Sequence, residues 1–156
     1  NELFILKSDE RLLKKYNGKV KTYDETVLKL KSLVDDMEKK KSITWGIAYK
    51  DEDKLIGSIC FWNICEGHSK AEIGYELMYD FHGKGIMQEA IEAVIDYGFQ
   101  NMGLGVIEAV LYQSNIKSVK LLERNNFILI EDFTEEEIVD GQVMKLVLYT
   151  LKKRLN

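Results

Sequence analysis

Residues 70–102 constrain the fold of this chain more than any other stretch. Alternating apolar side chains predict a strand over residues 70–78, and a wide apolar face predicts a helix over residues 86–102. The loop between them, residues 79–85, contains two glycines and one lysine. The first N–H groups of a helix lack intrahelical acceptors and carry partial positive charge from the helix dipole, so they attract anions. The stretch therefore predicts a phosphate-binding turn.

Two common phosphate-binding motifs do not match this turn. The Walker motif, Gly-x-x-x-x-Gly-Lys-Ser/Thr, occurs nowhere in the sequence. The dinucleotide motif, Gly-x-Gly-x-x-Gly, is met by Gly83 and Gly85, but its last position holds Gln88. A nucleotide-binding α/β module is therefore disfavoured, although the turn itself still suits a phosphate.

Length, charge and cysteine spacing limit the class of protein. The 156 residues suit a single domain, residues 1–156, with a full hydrophobic core. The net charge of −4 argues against a general nucleic-acid-binding protein, and no apolar run is long enough to cross a membrane. Cys60 and Cys65 lack the spacing of a metal or redox motif. We therefore expect reduced cysteines, no metal and a cytoplasmic protein.

The first 40 residues are predicted to be helical. One amphipathic helix is expected over residues 1–16, ended by residues 17–18, and a second over residues 22–40. Thr22 and Glu25 have the spacing of a capping box at the start of the second helix. The side of this helix that is expected to be buried carries Leu28, Leu30, Leu33, Val34 and Met37.

The remaining segments are mostly strands. Strands are expected at residues 44–49, 55–65, 106–112, 127–133 and 142–152. His68 is assigned to the turn before residue 70, a further helix is expected to end near residue 125, and the acidic residues 134–140 are assigned to a connection. This order of elements predicts an α/β fold, a mixed sheet with helices on both faces.

Short motifs along nearly the whole chain resemble one family. They are Trp45-Gly46-Ile47, Leu55-Ile56-Gly57, Ile73-Gly74-Tyr75, His82-Gly83-Lys84-Gly85, Ile107-Glu108-Ala109 and Asn115 to Ser118. In this order and at these spacings they resemble the GNAT N-acetyltransferases, most closely the RimJ/RimL-type branch. Three positions differ from the family pattern. His82 stands where that branch has Trp, Met87 stands where Gly or Ala is usual, and Asn126 stands where the family has Gly. Asn is the next most tolerant residue at a helix end of that kind.

The resemblance also implies a first strand that this chain lacks. GNAT domains open with a strand, whereas this chain begins at Asn1 inside the predicted first helix. We therefore expect an N-terminally trimmed piece of a longer protein. The edge strand left exposed could pair across chains, so both a monomer and a homodimer stay open.

The same resemblance implies that acetyl-coenzyme A binds at the turn. Amides of the loop and of the first helical turn would hold the pyrophosphate, and a backbone N–H late in residues 70–78 would polarise the thioester carbonyl. Lys117, Lys120 and Arg124 would meet the 3′-phosphate. The residues assigned to cofactor binding are Leu77, Met78, His82, Gly83, Lys84, Gly85, Ile86, Met87, Asn115 and Ser118. Asn115 is also expected to cap the helix that follows it.

Two glutamates on the predicted strand are the candidate catalytic residues. Glu72 and Glu76 share a face about 13 Å apart, at roughly 3.3 Å per residue, and are therefore separate candidates. Each is either a base or amine-binding carboxylate, or simply a half-exposed strand residue. The family's tyrosine acid falls at Leu122, so no acid is assigned. The alternatives for that role are Tyr75, Tyr112 and Ser118.

The implied activity is transfer of the acetyl group of acetyl-coenzyme A directly to a primary amine. The acceptor is either a protein N-terminal amine or a small amine such as a polyamine, an aminoglycoside or an amino acid. The acidic residues 134–140 either attract a cationic acceptor or form a solvated turn. A non-catalytic acyl-coenzyme A sensor on the same fold is the alternative, because Leu122, His82 and Met87 depart from the family pattern.

Overall fold

Six strands form one mixed sheet in the computed structural model, which describes residues 2–13, 19, 21–65, 67 and 69–154. The strands are β1 Ile43–Ile47, β2 Gly57–Trp62, β3 Lys70–Leu77, β4 Val106–Tyr112, β5 Ile128–Val139 and β6 Gln142–Lys152. Their order across the sheet is β1-β2-β3-β4-β6-β5, with the pair β3–β4 parallel and every other neighbouring pair antiparallel. The predicted mixed sheet is confirmed.

The described part of the chain contains five α-helices around this sheet. They are α1 Glu2–Ser8, α2 Glu10–Leu13, α3 Tyr23–Glu38, α4 Ile86–Gln100 and α5 Ile116–Arg124. A 3₁₀ turn, Tyr79–Phe81, leads from β3 toward α4. Among the described helices, none has the length and apolar character that crossing a bilayer requires.

The parallel pair β3–β4 separates part-way along its length. Its register runs from Lys70 opposite Val106 to Glu72 opposite Glu108, and the described strands share no pair beyond that point. β4 stays paired with β6 along its whole length, so β4 is held in place while β3 diverges from it. A gap therefore opens in the sheet between the C-terminal halves of β3 and β4.

The two faces of the sheet differ in polarity. One face carries Phe61 and Ile73 of β2 and β3 and packs under α4, where Ile91 is fully buried. A Cβ on Gly98 of α4 would lie 2.9 Å from Cζ of Phe61, so only glycine lets the helix come this close. Because strand side chains alternate, the opposite face of β2 and β3 carries Ser58, Cys60, Gly74 and Glu76 instead, and α1 and α3 lie on that side.

The predicted first helix is two helices. α1 ends at Ser8 and α2 begins at Glu10. Between them, the Asp9 carboxylate accepts hydrogen bonds from the backbone N–H and from the side-chain Nε of Arg11, both at 2.9 Å. Asp9 thus starts a new helix rather than continuing the first. Residues 14–18, where the sequence predicts the helix end, and His68 lie outside the described residues.

The predicted buried side of the second helix is wrong. Leu28, Leu30, Val34 and Met37 are 64%, 49%, 49% and 41% exposed, and Leu33 is half-buried. Among the described residues of α3, Thr26 is the buried one. The helix is rotated so that Thr26, Leu33 and Asp36 face inward, and these residues also follow a helical period. Lys29 lies on the same side but is exposed. The capping box of Thr22 and Glu25 is confirmed.

Several strand boundaries also differ from the expectation, most clearly the ends of β5 and β2. The acidic residues expected as a connection belong to β5, and the hairpin turn is confined to Asp140 and Gly141, which have φ angles of 49° and 77°. β5 is irregular between Ile130 and Glu135, which lets one long strand replace the two expected segments. β2 ends at Trp62, before Asn63 at φ 47°, so Cys65 lies beyond the strand. Both cysteines are free thiols.

Candidate active site

The turn between β3 and α4 leaves the start of α4 open. Gly83 and Gly85 have φ angles of 75° and 79°, a left-handed conformation that side chains disfavour, although a Cβ at either position would meet nothing within 4 Å. Gly85 is the N-cap of α4 and has no side chain to accept from the first turn. The helical hydrogen bonds of α4 begin with the Glu89 N–H donating to the Gly85 carbonyl at 3.1 Å. The amides before Glu89 therefore have no helical acceptor.

A cavity of about 350 Å³ lies against this turn, and we call it the phosphate-loop cavity. It is lined by eight of the ten residues assigned to the cofactor: Leu77, His82, Gly83, Gly85, Ile86, Met87, Asn115 and Ser118. The other two, Met78 and Lys84, are not part of the lining. Met78 is buried against Leu6 and Leu12, and Nζ of Lys84 lies 5.2 Å from the centre of the Phe81 ring.

Three cations of α5 complete this cavity. Lys117, Lys120 and Arg124 all line it, because their spacing along the helix puts them on one face. Asn115 caps α5 as predicted, its Oδ1 accepting from the Ser118 N–H at 3.4 Å. The cavity thus combines free helical amides with three positive charges, an arrangement that suits a polyphosphate.

His82 joins the loop to the end of β3. Its Nε2 lies 2.8 Å from the Leu77 carbonyl oxygen. Since a carbonyl oxygen can only accept, Nε2 carries the proton in this contact. The ring also packs on Tyr79, with 5.2 Å between ring centres. His82 therefore positions the loop through contacts of its own, where the RimJ/RimL-type branch has Trp.

The backbone at the end of β3 presents an N–H group to the gap in the sheet. The Met78 N–H donates to the Ile56 carbonyl at 2.8 Å and so points toward β2. Because successive amides of a strand alternate in direction, the Leu77 N–H points the other way, toward β4. The strands have already separated there, which leaves the Leu77 N–H facing the gap.

The two candidate glutamates have different partners. Glu76 forms an ion pair with Lys7 of α1 and accepts from the Ser58 hydroxyl at 2.8 Å. Glu72 accepts from Nδ2 of Asn63 at 2.7 Å. Sequence reasoning missed Lys7, Ser58 and Asn63. The first lies 69 residues from its partner, and no local pattern signals such a contact.

A second cavity, of about 750 Å³, follows the gap between β3 and β4, and we call it the strand-gap cavity. Its charged lining is mostly acidic: Glu72, Glu108, Glu135 and Glu137, with Lys70. Nζ of Lys70 lies 2.9 Å from the Glu108 carboxylate, which raises the pKa of Lys70. The acidic segment of β5 thus faces a cavity through Glu135 and Glu137.

Tyr112 lies in the same cavity as a protonated phenol. Burial and the Glu137 carboxylate, which accepts from the Tyr112 hydroxyl at 2.5 Å, raise the pKa of Tyr112 to about 12. Leu122, at the family's tyrosine position, is fully buried and has no proton to give. Tyr75 and Ser118 also line the strand-gap cavity. Among the residues that the structure describes, no group of three or more His, Cys, Asp or Glu side chains is arranged to hold a metal ion.

Comparison with known proteins identifies the family. A match to the acetyltransferase (GNAT) domain covers residues 1–128. The uncharacterized N-acetyltransferase YoaA of Bacillus subtilis is 30% identical over 126 residues, which are 80% of this chain and 71% of the relative. This chain belongs to the GNAT acetyltransferase family.

A further relative of this GNAT domain acts on a ribosomal protein. The [ribosomal protein uS5]-alanine N-acetyltransferase of Escherichia coli is 30% identical over 121 residues, which are 76% of this chain and 62% of the relative. The chain thus spans less than two thirds of that protein. The predicted resemblance to the RimJ/RimL-type, ribosomal-protein-modifying branch of the GNAT family is confirmed.

Two solved structures share the GNAT fold with this chain. The crystal structure of a probable acetyltransferase has 27% identity and a TM-score of 0.83, over 97% of this chain and 85% of that chain. The microcin C7 self-immunity acetyltransferase MccE, in complex with acetyl-CoA and AMP, has 24% identity and a TM-score of 0.85, over 97% of this chain and 86% of that chain. The second likeness shows the fold alone.

Proposed function

We propose that this GNAT domain transfers the acetyl group of acetyl-coenzyme A directly to a primary amine, either a protein N-terminal amine or a small-molecule amine. The observation that carries the proposal is the junction of two cavities at Tyr75, Asn115 and Ser118. One cavity offers free amides and cations for phosphates, and the other is the gap between β3 and β4. A long ligand can lie with its phosphates in the first and its acyl end in the second.

The phosphate-loop cavity fits the pyrophosphate of coenzyme A. The amides at the start of α4 are open, and Lys117, Lys120 and Arg124 lie around them. A charge-assisted hydrogen bond is stronger than a neutral one, so three cations favour a ligand with several phosphate charges. Acetyl-coenzyme A supplies the acyl thioester when bound. The Leu77 N–H, which faces the gap, is the donor placed to polarise a thioester carbonyl there.

The acidic groups near the gap suit an amine acceptor. An α-amine has a pKa of about 8 and a lysine amine of about 10, so the acceptor arrives protonated and must lose a proton before it attacks. Glu76 borders the phosphate-loop cavity and Glu72 borders the gap, and these two carboxylates are the separate candidates for binding the ammonium and taking that proton. A C–N bond then forms as the C–S bond breaks, and a second amine proton is left for the departing thiolate. Tyr75, Tyr112 and Ser118 line the gap and are the candidates for the family's acid, and the raised pKa of Tyr112 makes its hydroxyl the weaker acid for that role.

The experiment that tests the proposal begins with calorimetry. Titration with acetyl-coenzyme A should give binding, and titration with ATP and with NAD should not. A panel of amines and N-terminal peptides is then screened by thiol release. Binding without acetylation of any amine in the panel would favour the acyl-coenzyme A sensor, and absence of binding to folded protein would reject both functions.

The two glutamates are tested with the acceptor found in that screen. Glu76→Gln and Glu72→Gln keep size and hydrogen bonding but remove the charge. We expect at least one of them to lower turnover by about 10-fold or more, with acetyl-coenzyme A affinity unchanged, because general-base contributions are of that order. Glu52→Gln, an exposed change between β1 and β2, is the matched control. Full turnover in both Glu72→Gln and Glu76→Gln would show that neither glutamate takes part in the reaction.

A further inference from the structure

A third cavity, of about 700 Å³, lies between the sheet and the helices α1 and α3. Its floor is the polar face of β2 and β3, including Ser58, Cys60 and Gly74. Its walls carry Leu3 and Lys7 of α1, and Lys29, Leu33 and Asp36 of α3. The space exists because the inward side of α3 does not pack onto the sheet as α4 does on the opposite face.

Four lysines line this cavity, which we call the lysine cavity: Lys7, Lys19, Lys21 and Lys29. Lys7 is paired with Glu76. The other three ammonium groups have no ion-pair partner in the described part of the chain, and Asp36 is the one further carboxylate in the lining. In a chain with a net charge of −4, this is a local excess of positive charge.

Two buried hydroxyls on the cavity wall also lack partners. Ser42 is 7% exposed, and neither its hydroxyl nor that of Thr44 has a hydrogen-bond partner among the described residues. Leaving a buried polar group unpaired costs about 1–3 kcal/mol, so such groups usually have a ligand or water as partner. Both residues line the lysine cavity. The hydroxyl oxygens themselves lie buried behind the cavity wall, so the ammonium groups are the donors that the cavity offers to a ligand.

The lysine cavity adjoins both parts of the proposed active site. Glu76 lines it and also the phosphate-loop cavity. Trp62 and Gly74 line it and also the strand-gap cavity. A ligand with its amine at the glutamates therefore has a direct path to the lysines, since no element of the sheet separates the two.

We propose that the acceptor amine carries an anionic group, a carboxylate or a phosphate, which binds in the lysine cavity while the amine lies at the glutamates. This rests on the proposed transfer of acetyl groups to amines and narrows its acceptor. Opposite charges at the two ends orient a zwitterionic acceptor, with its ammonium toward the carboxylates and its anion toward Lys19, Lys21 and Lys29. A polyamine, which is cationic at both ends, is disfavoured by the same charges.

Matched acceptors test the proposal directly. O-phosphoethanolamine and ethanolamine differ by one phosphate, and a peptide with aspartates at its second and third positions differs from its asparagine counterpart by two carboxylates. We expect kcat/KM to be about 10-fold higher for the anionic member of at least one pair, the order of a charge-assisted hydrogen bond or two. The pair that responds identifies the source of the anion, a small molecule or an acidic N-terminus. Equal values in both pairs, or preference for spermidine, would overturn the proposal.

Lysine variants show whether this cavity is responsible. Lys29→Gln and Lys21→Gln should each raise KM for the anionic acceptor about 3- to 10-fold and leave kcat and the values for its neutral counterpart unchanged. Lys31→Gln, an exposed change on the same helix and outside the cavity, is the matched control. An equal effect of all three changes, or no effect of any, would contradict the assignment.

A binding measurement separates this proposal from the catalytic one. Calorimetry with O-phosphoethanolamine and with the aspartate peptide is performed on protein saturated with coenzyme A, so that the phosphate-loop cavity is already filled. We expect at least one to bind, and binding to weaken in Lys21→Gln and Lys29→Gln, whether or not any amine is acetylated. Binding without turnover would reject the transferase while retaining the anion site. Turnover of neutral amines without anion binding would retain the transferase and reject the anion site.

Discussion

Helices α3 and α4 are nearly equal in length, 16 and 15 residues, and both are amphipathic in sequence, yet they pack in opposite ways. α4 buries Ile91, Val94, Ile95 and Gly98 against the sheet. α3 buries Thr26 and exposes most of its large apolar side chains. Amphipathic character thus predicted that both segments are helices, but not how closely each one contacts the sheet.

The sheet explains this difference. α4 faces the side of β2 and β3 that carries Phe61 and Ile73, so apolar groups meet on both sides of the contact. α3 faces the side that carries Ser58, Cys60 and Glu76, where close apolar packing would bury groups that need partners. The result is a core under α4 and a polar cavity under α3.

The N-termini of the two helices differ as well. The N-terminus of α3 is capped by its own side chains. The Glu25 N–H donates to the Thr22 hydroxyl at 3.2 Å, and the Thr22 N–H donates to the Glu25 carboxylate at 2.8 Å. α4 begins at Gly85, which offers no side chain. The helix that is weakly packed therefore relies on its cap, and the tightly packed helix can leave its first amides for a ligand.

The largest expected effect is on packing. Ile91→Ala in α4 should lower the free energy of unfolding by about 2–5 kcal/mol, because it leaves a cavity in a fully buried site. Leu28→Ala in α3, at a residue 64% exposed, should change it by less than about 0.5 kcal/mol. Urea denaturation of both variants gives the comparison. A large cost at Leu28 would mean that this side of α3 is covered in solution.

The second effect distinguishes the two caps. Thr22→Ala should cost about 1 kcal/mol of stability and leave acetyl-coenzyme A binding unchanged. Gly85→Ala should cost about 1–2 kcal/mol, because a side chain is placed in the left-handed conformation, and should also weaken acetyl-coenzyme A binding. Thermal unfolding and calorimetry on both variants test this. If Gly85→Ala leaves the affinity for acetyl-coenzyme A unchanged, the turn takes no part in binding this ligand.

The smallest effect is a pH dependence confined to α3. The Thr22 backbone N–H lowers the pKa of Glu25 below its usual value of 4.5. Because the folded pKa is lowered, the contribution of this carboxylate to stability is complete above the unfolded pKa and is lost as the pH falls through the folded one. The protection factors of the amides, which correct for the intrinsic slowing of exchange in acid, should therefore fall in α3 more than in α4 as the pH is lowered. Glu25→Gln should abolish this extra loss of protection. If the extra loss persists in that variant, another group is responsible for it.

The sequence alone determined the order of elements, the strand–turn–helix unit and the family. These follow from local rules: alternation along β3, the positive φ that Gly83 and Gly85 permit, and the capping residues Thr22 and Asn115. Each rule acts within a few residues, so the sequence states it directly. Five of the eight assigned residues that line the phosphate-loop cavity do so for the same reason, since they come from one turn and the helix start that follows it.

Tertiary structure decided which side of α3 faces inward, which glutamate is paired, and what surrounds the gap in the sheet. Lys7 reaches Glu76 across 69 residues, and Tyr112 reaches Glu137 across 25. The lysine cavity combines residues of the three helices α1, α2 and α3, the segment between α2 and α3, and three strands. Such contacts depend on how elements are placed in space. The periodicity of a single segment carries no information about that placement, because any amphipathic helix can rotate until its neighbours set the contact.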